Sequence, residues 1–150
     1  MKYAHSIKLN VFSHENEPDE IILQSFLKFF PFSLEENKVE LKKTNAKAFH
    51  ESTITIFEVI LTKTNLINQF LDFILENLDE EQKQILIRQA ESRLDGNLDF
   101  FIRFGKDEWI NNNKLELTDS GKCFHLKISV AAFPKNRGVA LKIMRELFEK

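Results

Sequence analysis

The sequence predicts an α+β domain: a mostly antiparallel sheet with helices packed on one face, in the order β-α-β-β-α-α-β-(β)-β-α. Three observations predict it. Segments such as 3–13 and Lys122–Phe133 alternate apolar and polar residues at a period of two, the pattern of strands buried on one face. Elsewhere apolar residues recur every three or four positions, the stripe by which a helix packs against something flat. Prolines and an Asp-Gly-Asn turn break the chain between these segments, and no internal repeat groups them into a solenoid.

The first strand places Ile7, Leu9 and Val11 on one face and Lys8, Asn10 and Phe12 on the other. Asn16 or Glu17, just before Pro18, can start a helix, because proline is tolerated in a first turn where its missing N–H has no partner to lose. Ile21, Ile22, Phe26, Leu27 and Phe30 carry its stripe until Pro31. A short strand is expected over Lys38–Thr44, with Val39 and Leu41 on one face. Ser52–Thr62, rich in Ile, Thr and Val, reads as a second strand, central in the sheet. Asn65 is the expected cap of a helix striped by Leu66, Ile67, Phe70, Leu71, Ile74 and Leu78. Asp79 opens another, with Glu80 and Glu81 in the first turn, where the helix dipole favours negative charge. Its stripe is Ile85, Leu86, Gln89 and in part Leu94, and Asp95-Gly96-Asn97 ends it. Leu98–Phe104 is a strand, Leu115–Leu117 a short one, and Lys122–Phe133 a long one closed by Pro134. Asn136–Phe148 is the last helix, packing through Val139, Leu141, Ile143, Met144 and Leu147.

Residues 1–150 fit one domain of a size able to bury about 70% of the surface the unfolded chain exposes. A hydrophobic share of 43%, with 15 Phe, supports a Phe-rich core. The single Cys123 excludes an internal disulfide and a cysteine metal cluster. The first twelve residues lack the continuous apolar stretch of a signal peptide, and no apolar run approaches membrane-spanning length. A soluble, cytoplasmic protein with no membrane association is expected. The net charge of −2 hides an asymmetry: residues 1–99 sum to −6 and residues 100–150 to +4. A polyanion would therefore have to meet a local patch rather than the whole protein.

Two places could supply that patch. On the polar face of Lys122–Phe133 lie Cys123, His125, Lys127 and Ser129. The polar face of Leu98–Phe104 shows Asp99, Phe101 and Arg103. Cations interleaved with an aromatic ring suit RNA, because bases stack on rings while cations neutralise phosphate. The same face also fits an ordinary solvated surface or half of a dimer interface. The second place is the turn Pro134-Lys135-Asn136-Arg137-Gly138. A helix start there offers free backbone N–H groups between two cations, although Asn136 as a plain cap accounts for the pattern without a ligand.

Enzyme readings are weaker. Cys123 and His125 share a strand face roughly 7 Å apart, too far for a nucleophile–base pair. His5, His14, His50 and His125 show no metal-ligand spacing. Ser120-Gly121-Lys122 lacks the glycine spacing of a phosphate-binding loop. The acid pairs Glu35/Glu36 and Glu80/Glu81 read as solvated charges. No catalytic residue, metal or cofactor is expected.

The segment Arg88–Arg137, with AESRLD, LDFFIRF and LTDSGKCFHLKISVAAFPK, resembles an archaeal RNA-binding-domain family described as a predicted exosome subunit with a double-stranded-RNA-binding-like fold. The element order of the N-terminal half is compatible with it. The resemblance implies a sheet domain related in shape to the ribosomal protein that binds 5S RNA, a role in RNA binding or processing, and no catalytic residue. The expected function is thus that of a non-catalytic RNA-binding accessory factor in RNA processing or degradation, exosome-associated by resemblance. Its expected partner is structured or double-stranded RNA, together with exosome or other RNA-processing proteins. Lys122, Lys127, Lys135 and Arg137 would contact phosphate, with Arg103, Phe101 and His125 contributing from the sheet. The alternative is a protein–protein adaptor or homodimer that uses the exposed sheet face.

Overall fold

The computed structural model describes residues 1–47 and 52–150; His50 lies outside them. The described residues form a five-stranded antiparallel open sheet and six helices. In chain order these are β1 (Ala4–Ser13), α1 (Asp19–Leu27), β2 (Lys42–Lys47), β3 (Thr53–Leu61), α2 (Thr64–Asn77), α3 (Glu80–Arg88), α4 (Ala90–Arg93), β4 (Asp99–Gly105), α5 (Lys106–Asn112), β5 (Cys123–Val130) and α6 (Arg137–Phe148). The strand order is β2-β3-β1-β5-β4. β1 therefore holds the centre, and β3, expected there, lies between it and the edge strand β2.

One face of the sheet is apolar and buried: Ile7, Leu9 and Val11 of β1, Phe57, Val59 and Leu61 of β3, Phe100, Ile102 and Phe104 of β4, and Phe124, Leu126 and Ile128 of β5. These residues join the stripes of α1, α2 and α6 in one continuous core, so the helices cover that side of the sheet alone. Phenylalanine dominates its centre. Phe29 packs on Trp109, Phe124 and Phe104 with ring centroids 4.7, 4.9 and 6.0 Å apart, distances at which tilted rings attract beyond their area burial. The Trp109 indole N–H is satisfied by the Ser25 carbonyl at 2.7 Å.

Several elements differ from the sequence expectation, each for a local reason. Residues 33–39 close a compact turn (Asn37 N–H to Ser33, Val39 N–H to Leu34), with Lys38 at φ 56°, so β2 begins only at Lys42. Val39 and Leu41 pack against the core from outside the ladder. Thr64, not Asn65, is the first residue of α2, and Lys63 precedes it in extended conformation without a side-chain cap. The helix opened by Asp79 divides at Gln89 into α3 and α4. Ile21 is half exposed rather than core. Leu115–Leu117 makes only a single bridge, from Leu117 to Phe104. The unexpected helix α5 occupies Lys106–Asn112. β5 ends at Val130, whose N–H bonds Leu98, while Ala131 turns to the Tyr3 carbonyl. Asp79 and Asn136 do cap their helices, accepting from the N–H groups of Gln82 and Val139.

Candidate nucleic-acid interface

Directly opposed residues in antiparallel strands share a face, so the register assembles the uncovered surface row by row. One row runs Lys42–Glu58–Asn10–His125–Arg103 across all five strands. The next runs Ile60–Lys8–Lys127–Phe101. On the other side lie Thr44, Ile56 and Phe12. Three large apolar groups on this face meet solvent: Phe12 is 42% exposed, Phe101 40% and Ile60 50%. The Phe12 and His125 rings stand side by side, centroids 6.4 Å apart.

Charge concentrates on the β1-β5-β4 part of this face. Lys8 and Lys127 oppose each other directly, an unfavourable cross-strand pairing unless an anion screens it. Lys127 is partly compensated by Asp99, 3.7 Å away, which also accepts from Ser129. Lys8 has no ion-pair partner among the described residues. His125 opposes Arg103; burial, and then the neighbouring guanidinium, lowers its pKa, so its imidazole is neutral at pH 7. Four cations (Lys8, Lys42, Lys127 and Arg103) thus stand against the carboxylates Glu58 and Asp99 on this face. The Oδ1 of Asn10, at its middle, is shielded from solvent and accepts no hydrogen bond.

The structure brings four of the seven sequence-designated residues together: Phe101, Arg103, His125 and Lys127. Lys122 precedes β5 and pairs with Asp107 at 3.1 Å. Lys135 and Arg137 lie beyond the other end of β5, which is roughly 24 Å long at the rise of an antiparallel strand. Lys135 is exposed. Arg137 turns its guanidinium inward onto the carbonyls of Leu94 and Glu91, ending α4 rather than presenting a free fork. Cys123, which the register places on the same side of β5 as His125, is buried opposite Gly105, and burial raises its thiol pKa. Lys8, Phe12 and Lys42, none of them among the seven, also join the face. Their alternation in strands was the available signal; their place beside β5 or β3 depends on pairing that no local pattern encodes.

At the outer edge of β4, the end of α4 and the 118–120 loop enclose a cleft of about 360 Å³. Arg93 forms one wall. Its Nε and one terminal nitrogen donate to Gln89 Oε1, and the other terminal nitrogen donates to the Phe101 carbonyl. Arg103 meets the opposite wall, donating to the Asp119 carbonyl at 3.1 Å, and Phe101 lines the cleft between them.

The central strand owes its position at the loop after β1 to a buried cation. Lys106, 1% exposed, donates to the Phe12 carbonyl and to Glu17 Oε1 at 2.9 Å. Burial alone would raise the Glu17 pKa, but the Lys106 ammonium and the His14 N–H outweigh it, and the carboxyl lies below its usual value. This lysine anchors the backbone that presents Phe12.

The same fold occurs in solved archaeal proteins. AF2318 of Archaeoglobus fulgidus superposes with a TM-score of 0.80 at 24% identity, over 97% of this chain and 98% of that one. Mth689 of Methanothermobacter thermautotrophicus gives 0.78 at 22% identity over the same shares. In sequence, the chain is 25% identical over 146 residues to the RNA-binding protein PAB1135 of Pyrococcus abyssi, covering 97% of this chain and 94% of that one. The model of the family described as RNA binding matches residues 6–130, from β1 through the end of β5, and on that match this chain belongs to the RNA-binding family.

Proposed function

We propose that this protein binds RNA through the open face of its sheet and acts, without catalysis of its own, as an accessory factor in RNA processing or degradation. The observation that carries the reading is the juxtaposition on β1, β5 and β4 of cations with solvent-facing rings: Lys8 opposite Lys127, Arg103 opposite His125, and Phe12 and Phe101 flanking them. Cations there would neutralise phosphates while rings accept bases. Membership of the RNA-binding family supports the same partner. Lys42 extends the track toward β2, and Lys122 and Lys135 are outlying phosphate contacts at either end of β5. Association with the exosome is the corresponding proposal for protein partners.

A titration of a structured RNA hairpin at several salt concentrations tests the reading. Lys8→Ala with Lys127→Ala is expected to weaken binding about equally across sequences and to lower the salt slope by roughly two units, one per lost phosphate contact. Unchanged affinity and slope would remove the sheet face from the site. A second reading rests on Ile54, Ile56 and Ile60, which give the β3 side of the face an apolar strip suited to a second copy or an adaptor partner. Salt-insensitive self-association, with no RNA bound at low salt, would favour it.

A further inference from the structure

The cleft at the edge of β4 has a composition that the rest of the face lacks, and it narrows the kind of RNA that fits. We infer that it accepts a single unpaired nucleotide, with its base against Phe101 and its phosphate between Arg93 and Arg103, so that the RNA recognised carries a bulged, looped or terminal base. The inference rests on the RNA-binding reading above and specifies the ligand of that same surface.

Four features support it. The cleft volume, about 360 Å³, lies at the lower end of the range for small-ligand sites, about 300–1,000 Å³. Phe101 lines it with a ring 40% exposed, and a base can stack on that ring only if its own face is free, which a paired base inside an A-form helix does not offer. Both guanidinium groups are already oriented, Arg93 by Gln89 and the Phe101 carbonyl, and Arg103 by the Asp119 carbonyl. Arg103 bonds through one N–H, and Arg93, with all three nitrogens engaged, keeps two of its five N–H donors, so both can still donate to a phosphate with little ordering left to lose. Finally, the cleft holds a carboxylate, Asp119. A bare phosphate ion would be repelled by it. A nucleotide has a use for it, because the exocyclic amino group of cytosine, adenine or guanine donates to such an acceptor. Burial lowers the Arg93 pKa, and the negative charge of Asp119 opposes that effect.

The test compares fluorescein-labelled RNA hairpins by polarisation: one fully paired, one with a single bulged cytidine, and one with an abasic residue at the same bulge. The bulged cytidine is expected to bind about tenfold tighter than the paired hairpin, within the range measured for stacking one base on an aromatic side chain. The abasic bulge is expected to match the paired hairpin. Phe101→Leu and Arg93→Lys should each abolish the tenfold difference between the bulged and the paired hairpin. Circular dichroism reports folding of each variant, and Phe101→Leu, at an exposed position, decides the matter should Arg93→Lys unfold. Equal binding of paired and bulged hairpins would overturn this inference and leave the RNA-binding reading standing. So would an abasic bulge that binds as tightly as cytidine. Failure of every probe to bind at low salt would overturn both.

Discussion

Replacing Lys106 with methionine probes the device that holds β1 against α5. The ammonium is 1% exposed and serves two acceptors, the Phe12 carbonyl and Glu17 Oε1. Methionine fills the volume but leaves both acceptors short of a donor. Removing one partner of a buried ion pair costs about 3–5 kcal/mol. Here the Glu17 side chain keeps 17% exposure and the His14 N–H at 3.1 Å, so water and one donor remain, and about 2–3 kcal/mol is expected. For a chain of this size that lowers Tm by roughly 5–10 °C. Glu17→Gln in the Lys106→Met background should recover part of the loss, because no uncompensated carboxylate is left behind. The pH dependence has a definite sign. Glu17 has a folded pKa below the unfolded value of 4.5, so its ionised form is stabilised by folding. That contribution is present above pH 4.5 and is lost as pH falls through the folded value. The stability gap between wild type and Lys106→Met, measured by urea denaturation, should therefore hold from pH 7 down to about 4.5 and shrink as the pH is lowered further. A gap below about 0.5 kcal/mol at pH 7, or one that does not change on acidification, would refute this account of the pair.

Other substitutions test single contacts. Gln82, buried in α3, donates to the Leu115 carbonyl at 2.8 Å and accepts from the Leu117 N–H at 2.7 Å. Gln82→Leu leaves both groups unpaired and should cost about 2–5 kcal/mol, with loss of hydrogen-exchange protection at the Leu117 amide; retained protection would contradict it. Asp79→Ala removes the cap on Gln82 N–H and should cost about 1 kcal/mol in chemical denaturation, against no change if the cap is idle. Arg137→Ala should cost about 1–3 kcal/mol through the Leu94 and Glu91 carbonyls, where a purely solvent-facing arginine would cost less than about 0.5 kcal/mol. Because burial and Arg103 depress the His125 pKa, any rise in RNA affinity as the imidazole gains charge should have its midpoint below pH 6.5. A midpoint above pH 6.5, abolished by His125→Gln, would show the opposite shift.

Periodicity and capping are local properties, and they determined much of this protein from the sequence by itself. Strand alternation in 3–13 and 122–133 assigned inward and outward residues to β1 and β5, because a pleated strand turns each side chain to the opposite face. Asp79 and Asn136 were legible as caps because the N–H groups they accept from lie three residues away. Seven-residue α5 carried no such signal. It is too short for a stripe, and its most buried charge, Lys106, owes its environment to Glu17 and Phe12, 89 and 94 residues earlier in the chain. Gln82 resembled any solvated helix residue until the loop at Leu115–Leu117 closed over it. The site shows the same division. Phe101, Arg103, His125 and Lys127 could be grouped from two strands that neighbour each other in sequence and pair in space. Lys8, Phe12 and Lys42 join them because β1 inserts between β3 and β5, and Arg93 because α4 folds over the edge of β4. Strand order and edge packing are set by long-range burial of the apolar face, so the tertiary structure alone decided which outward-facing side chains became neighbours.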